Sequence, residues 1–157
     1  MVCAFVLSRL DYCISLLSGL PKYQLDRLQR IQNNAARLTL RSSKFEHVTP
    51  LLRSLHWLPV SDRIDYKVSS LAFSAINDSG PTYISELLHL YTPSRELRSS
   101  SDTRQLRIPH TRTKTNGQRT FSYQVPMTWN KLPYSLRHSD CISSFKSGLK
   151  TYLFSKL

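Results

Sequence analysis

The amino-acid sequence predicts a mainly α fold, an irregular helical bundle that carries one small β-hairpin near residues 106–125. Three observations point there. Apolar residues recur at helical spacing over most of the chain, and Pro and Gly punctuate those stretches at intervals of one helix or less. The third is Asn116-Gly117, the strongest hairpin signal present, with Phe121, Tyr123 and Val125 alternating behind it. A chain of 157 residues, 40% apolar and 10% aromatic, suits one domain with a buried core.

Taken in order, residues 2–17 suit a helix buried on more than one side, through Phe5, Val6, Leu10, Cys13, Leu16 and Leu17. Gly19 ends it and Pro21 opens the next helix, over residues 22–40, whose apolar stripe is Leu28, Ile31, Ala35 and Leu38. These two make a helical hairpin, 1–41. A helical core follows over 42–90. Thr49 caps a short helix with Pro50 in its first position and Leu51, Leu52 and Leu55 buried. Ser61 caps a longer one to about Asn77, with Ile64, Val68, Leu71, Ala72 and Ala75 on one face. After Ser79-Gly80-Pro81, a further short helix carries Tyr83, Ile84, Leu87 and Leu88.

The composition then changes. Residues 91–126 form a basic, Ser/Thr-rich loop with the expected hairpin. A two-residue turn at Asn116-Gly117 would set Arg112 opposite Phe121, His110 opposite Tyr123, Ile108 opposite Val125, and Lys114 opposite Arg119. Pro126 closes the ribbon. The last section, 127–157, is helical, with Asp140 as a cap and Ile142, Phe145, Leu149, Tyr152 and Leu153 on its apolar face. The four sections read as one compact unit. Trp57 and Trp129 belong to the core, with Trp129 closing over Trp57.

The formal net charge is +12. Up to Gly80 there are 10 basic and 6 acidic residues, and after it 12 and 4, so the excess doubles in the second part. Such a balance favours a polyanionic partner. Arg95, Arg98, Arg107, Arg112, Lys114 and Arg119 are the residues expected to neutralise phosphates of RNA or DNA, without sequence specificity. Ser and Thr hydroxyls would add contacts, and Tyr91 and Tyr123 would stack on bases. The competing reading is a solvated basic face.

Catalytic signals are weak by comparison. Asp62 and Asp65 are the one close carboxylate pair on a helix, and their ordinary role is to stabilise its N-terminus. The chain has no adjacent Asp-Asp, no Gly-rich phosphate loop and no His-Glu-x-x-His, and no nucleophile-elbow pattern marks a serine. Its five histidines are far apart in the chain. No catalytic residue, metal site or cofactor is expected. Cys3, Cys13 and Cys141 read as reduced thiols of an intracellular protein, nuclear or cytoplasmic. The apolar start is broken by Arg9 and Asp11, too soon to span a bilayer, so no membrane partner is expected.

A series of motifs also carries a resemblance. Ser8-Arg9-Leu10-Asp11-Tyr12-Cys13, Leu17-x-Gly19-Leu20-Pro21, Leu28-Gln29-x-Ile31-Gln32-Asn33-x-Ala35-Ala36-Arg37 and Leu55-His56-Trp57-Leu58-Pro59 follow in order. Arg95-x-Leu97-Arg98-Ser99, Gly117-x-Arg119-x-Phe121, Pro126-x-x-Trp129-Asn130-x-Leu132-Pro133 and Phe145-Lys146-x-x-Leu149-Lys150 continue the series. Together they resemble the tail of reverse transcriptases from LINE-type (non-LTR) retrotransposons, in the jockey and chicken-repeat grouping. The resemblance implies the last thumb helices, with 1–41 as a thumb-like hairpin, followed by the family's C-terminal region. The palm, with its metal-binding Tyr/Phe-x-Asp-Asp motif, and the endonuclease lie outside the matched stretch. Partners implied are nucleic acid and the missing polymerase domains. Ile14 departs from the pattern, where asparagine is expected. A domesticated relic or docking piece with no nucleic-acid role is the alternative.

Overall fold

A computed structural model describes residues 2–93 and 104–157. Among these there are eight α-helices and no β-strand. In chain order they are α1 (Val2–Asp11), α2 (Lys22–Leu40), α3 (Val48–Ser54), α4 (Val60–Ile76), α5 (Thr82–Ser85), α6 (Phe121–Trp129), α7 (Tyr134–Arg137) and α8 (Ile142–Ser155). Short 3₁₀ turns lie at Ile14–Leu17 and Gly117–Arg119.

Packing is organised on α4, which touches α2, α5, α6, α8 and the first 3₁₀ turn. Its buried line is Ile64, Val68, Ala72, Phe73 and Ala75, close to the face read from periodicity. Against it lie Val125 and Trp129 of α6, Leu132, and Phe145, Leu149 and Leu153 of α8, forming the main core. Phe73 and Phe145 stack with centroids 4.5 Å apart. A smaller core of Ala35, Ala36, Leu52 and Trp57 joins α2 to α3. The two tryptophans therefore sit in different cores, and Trp129 does not close over Trp57.

The expected hairpin is absent. A two-residue hairpin turn needs positive φ at both central residues. Asn116 instead has φ −100° and ψ −47°, and Gly117 is not among the positive-φ residues. Glycine is required at 117 for space: a Cβ there would lie 2.8 Å from Thr111 Cβ. Residues 121–125 are helical, so the cross-strand pairs of 108, 110, 112 and 114 with 119–125 do not form. Phe121, Val125 and Trp129 fall at i, i+4 and i+8, and that spacing delivers the last two into the main core. An alternation of three residues was too short to oppose it. Pro126 does not close a ribbon; it is buried inside α6. A proline inside a helix costs roughly 3 kcal/mol, and burial of its ring offsets part of that.

Helix boundaries also moved. The first helix stops at Asp11 because Cys13 takes φ 52°, and a 3₁₀ turn follows rather than a helix to residue 17. The stop lets Ile14 point into the main core at 2% exposure. Ile14, where the motif series leads one to expect asparagine, is thus a core residue here. The caps expected of Thr49, Ser61 and Asp140 lie at His47, Pro59 and Cys141 instead, none with a side-chain cap hydrogen bond.

On α2 the expected stripe is displaced. Ile31 and Leu38 are 51% and 65% exposed, and the buried line is Gln32, Ala35 and Ala36. Gln32 is buried because it fastens the link between α3 and α4. Its Nε2 donates to the Leu58 carbonyl at 2.8 Å, and Gln29 Oε1 accepts from the Val60 N–H at 2.8 Å. Gln29 Nε2 in turn donates to Gln32 Oε1 and Asn33 Oδ1. A buried amide with its partners made is a specific joint, and this one grips both sides of Pro59.

Candidate nucleic-acid interface

Side chains of Trp129 and Asn130 attach the basic segment to the core. The Trp129 indole N–H donates to the Arg104 carbonyl at 2.7 Å. The Asn130 side chain pairs with Leu106 as a strand would, accepting from its N–H and donating to its carbonyl, each at 2.9 Å. On the other side of Leu106, Tyr91 N–H donates to the Gln105 carbonyl and Arg107 N–H to the His89 carbonyl, making one antiparallel bridge at Leu90 and Leu106.

The far end is fixed by a turn. Gly117 N–H donates to Thr113 Oγ1 at 2.9 Å, Thr120 Oγ1 donates to the Gly117 carbonyl, and Gln124 Nε2 donates to the Gln118 carbonyl. Gly19 presses on this turn with φ 77°, where a Cβ would sit 3.2 Å from Arg119 Cα. The connection between α1 and α2 therefore abuts the end of the basic segment.

Between these anchors Arg107, Arg112, Lys114 and Arg119 are all exposed. Among the described residues Arg63 and Asp11 form an ion pair, and these four form none. Arg95 and Arg98 lie outside the described residues. Tyr91 is exposed, whereas Tyr123 is half-buried in α6 and poorly placed to stack on a base. Arg104 reaches back into the protein, donating to the Arg137 carbonyl at 3.1 Å.

A second basic feature was missed in the linear reading. Arg63 and Lys67 of α4 and Lys150 of α8 line a cleft of about 330 Å³ with His56 and Tyr66, over Ile14 and Leu58. An adjoining depression shares His56 and Lys150 and adds Arg53, Ser147 and Thr151. The spacing of Arg63 and Lys67 marks one face of a helix. Nothing local in the sequence connects Lys150 to them.

Asp62 and Asp65 lie on α4, and burial pushes both carboxyls above their ordinary value of 3.8. For Asp65 the neighbouring Asp62 raises it further, while Lys131 and Lys156 oppose. A folded-state value above the unfolded one means that the native state holds the proton more tightly. The stability this contributes is complete below the unfolded value and is lost as pH rises through the folded one. Asp65→Asn is therefore expected to raise the melting temperature at neutral pH and to flatten its fall between mildly acidic and neutral pH, as measured by thermal melts across that range. An unchanged pH profile would contradict the assignment. Among the described residues no group of three or more His, Cys, Asp or Glu is placed to hold a metal ion. Cys13 and Cys141 are free and exposed. Among the described residues no helix is long and apolar enough to cross a membrane.

Comparison of the chain with protein-family models, curated proteins and solved structures finds no match. What the fold and the site define is a class only: a mainly helical, strongly basic protein with an anchored cationic surface segment.

Proposed function

We propose that this chain is a non-catalytic C-terminal piece of a LINE-type (non-LTR) retrotransposon reverse transcriptase that contacts template RNA or target DNA through the basic segment 95–119. The motif series supports the family assignment. The observation that carries the binding role is that Arg107, Arg112, Lys114 and Arg119 are exposed and, among the described residues, form no ion pair, on a stretch held at 104–106 and again at 113–120. Pinning lowers the ordering cost of binding, because the backbone that presents the cations is already held.

The experiment is a salt titration of binding to a short RNA and a short DNA duplex. Each neutralised phosphate contributes a slope of about −0.7 (single strand) to −0.9 (duplex) in log K against log salt. Four contacts therefore weaken binding about fifty- to a hundred-and-fiftyfold between roughly 50 and 200 mM salt. Changing all four residues to glutamine should remove most of that slope and most of the low-salt affinity. Unchanged affinity in the fourfold variant would sink the assignment of this segment.

One observation favours a second reading, a protein-interaction module with no nucleic-acid role. Ile31 and Leu38 share the outer face of α2 and are exposed, as is Phe5 of α1. Exposed apolar residues clustered on one face mark interaction surfaces. A monodisperse monomer by sedimentation, together with no binding to a thumb-and-palm fragment of such a polymerase, would count against that role.

A further inference from the structure

We infer that the cleft lined by α4, α8 and the link at residues 56–58 binds one nucleoside phosphate unit, at a site separate from the basic segment. Three cations, Arg63, Lys67 and Lys150, line it against one carboxylate, Asp11. Asp11 is already engaged, since Arg63 Nε donates to its Oδ1 at 2.9 Å and the guanidinium also pairs with its other oxygen. Among the described residues Lys67 and Lys150 form no ion pair, Lys150 Nζ lying 6.0 Å from the centroid of the Phe154 ring, so both are left to offset an outside charge. The excess of two positive charges matches the −1.5 to −2 or so carried by a phosphate monoester near neutral pH.

Shape separates this site from a solvated basic face. The cations converge on a concavity, where low-dielectric walls concentrate their field, instead of spreading over a convex surface. Its floor is apolar, from the buried side chains of Ile14 and Leu58, and the rings of Tyr66 and His56 stand beside it. That combination accepts a flat base next to a phosphate. A volume of about 330 Å³ falls at the small end of ligand pockets and suits one nucleotide, not a duplex.

The end of α3 sets where the His56 ring stands. His56 ends α3 in the left-handed region at φ 55°, a position where glycine is the relaxed choice. Its ring stands edge-on to Phe154, with centroids 6.3 Å apart, at the place where the cleft meets the adjoining depression. Arg53 in that depression gives the next phosphate of a strand a place to lie. The same chemistry has two sources, a free mononucleotide or the phosphorylated end of a strand.

The test is titration of the full chain with adenosine 5′-monophosphate, with adenosine as control, followed by NMR of the Tyr66 and His56 ring protons. The monophosphate should shift both rings, and adenosine should bind about tenfold more weakly or worse, the scale of losing a charged hydrogen bond. Lys67→Gln combined with Lys150→Gln should cause a similar loss. His56→Gly relaxes the backbone, so the melting temperature should hold or rise while the affinity falls. Glutamine at 107, 112, 114 and 119 should leave monophosphate binding intact, which separates failure of the cleft from failure of the segment. If the monophosphate displaces a 5′-phosphorylated oligothymidylate but not its 5′-hydroxyl counterpart, the ligand is a strand end. If it binds without displacing either, the ligand is the free nucleotide. Equal binding of adenosine and its monophosphate, or full affinity in the lysine pair variant, overturns the inference.

Discussion

Trp129→Ala is expected to lower the unfolding free energy by about 3–5 kcal/mol, the range for removing a large buried aromatic ring. Trp129 is 1% exposed and lies 5.7 Å from Phe145 and 6.5 Å from Phe73, centroid to centroid. Because α4, α6 and α8 all meet at these rings, no single helix can shift to fill the space. The variant also loses the indole N–H that holds the Arg104 carbonyl. Native domains are stable by about 5–15 kcal/mol, so the loss would consume a large share of the total. Denaturant unfolding measures it, and a cost below about 1 kcal/mol would be inconsistent with a rigid three-helix junction. Trp129→Phe separates the two contributions. It keeps most of the ring and gives up the hydrogen bond, and it should speed tryptic cleavage after Arg104 and Arg107 by loosening the segment.

Trp57→Ala should cost about 3 kcal/mol, at the lower end of the same range. Its ring is 7% exposed and packs in the smaller core, where Ala35 and Ala36 let it approach α2 closely. Since the two rings occupy different cores, the costs should add to within about 0.5 kcal/mol in the double variant. A coupling well above that would mean that the cores are not independent, contrary to the packing described. The route for such coupling is the glutamine joint, which runs from Gln29 and Gln32 of α2 to Leu58 and to Val60 at the start of α4.

How much of this was legible beforehand depends on how far apart the interacting residues are in the chain. The faces of α4 and α8 were readable because each helix carries its own periodic apolar row. The face of α4 is the clearest case, with Ile64, Val68, Ala72 and Ala75 both expected and buried. Helix ends were harder. Arg41, His56 and Asp78 each take positive φ at or just after the end of a helix without being glycine. At His56 the Trp57 N–H donates to the Leu52 carbonyl and the His56 N–H to the Arg53 carbonyl, closing the end of α3 before Pro59 is reached. Without glycine, the stop leaves little local trace.

The hairpin expectation failed for a related reason. Asn116-Gly117 is a good local signal, but glycine there answers a contact with Thr111, and Phe121 to Trp129 are recruited as a helix by α4. The stripe on α2 failed because Gln32 is worth more buried, with its hydrogen bonds to the link made, than an apolar residue on its own helix periodicity suggests.

Composition and spacing within single elements are enough to specify the mainly helical class, the central amphipathic helix, the burial of both tryptophans and the charge excess of the second part. Contacts between distant elements make residues 121–129 helical, put a glutamine in the interior in place of Ile31 and Leu38, and bring Lys150 to Arg63 and Lys67 around one cleft. Those outcomes depend on which surfaces meet across long stretches of chain, and the free energy of burial and buried hydrogen bonds at such meetings exceeds the small local preferences that a sequence displays.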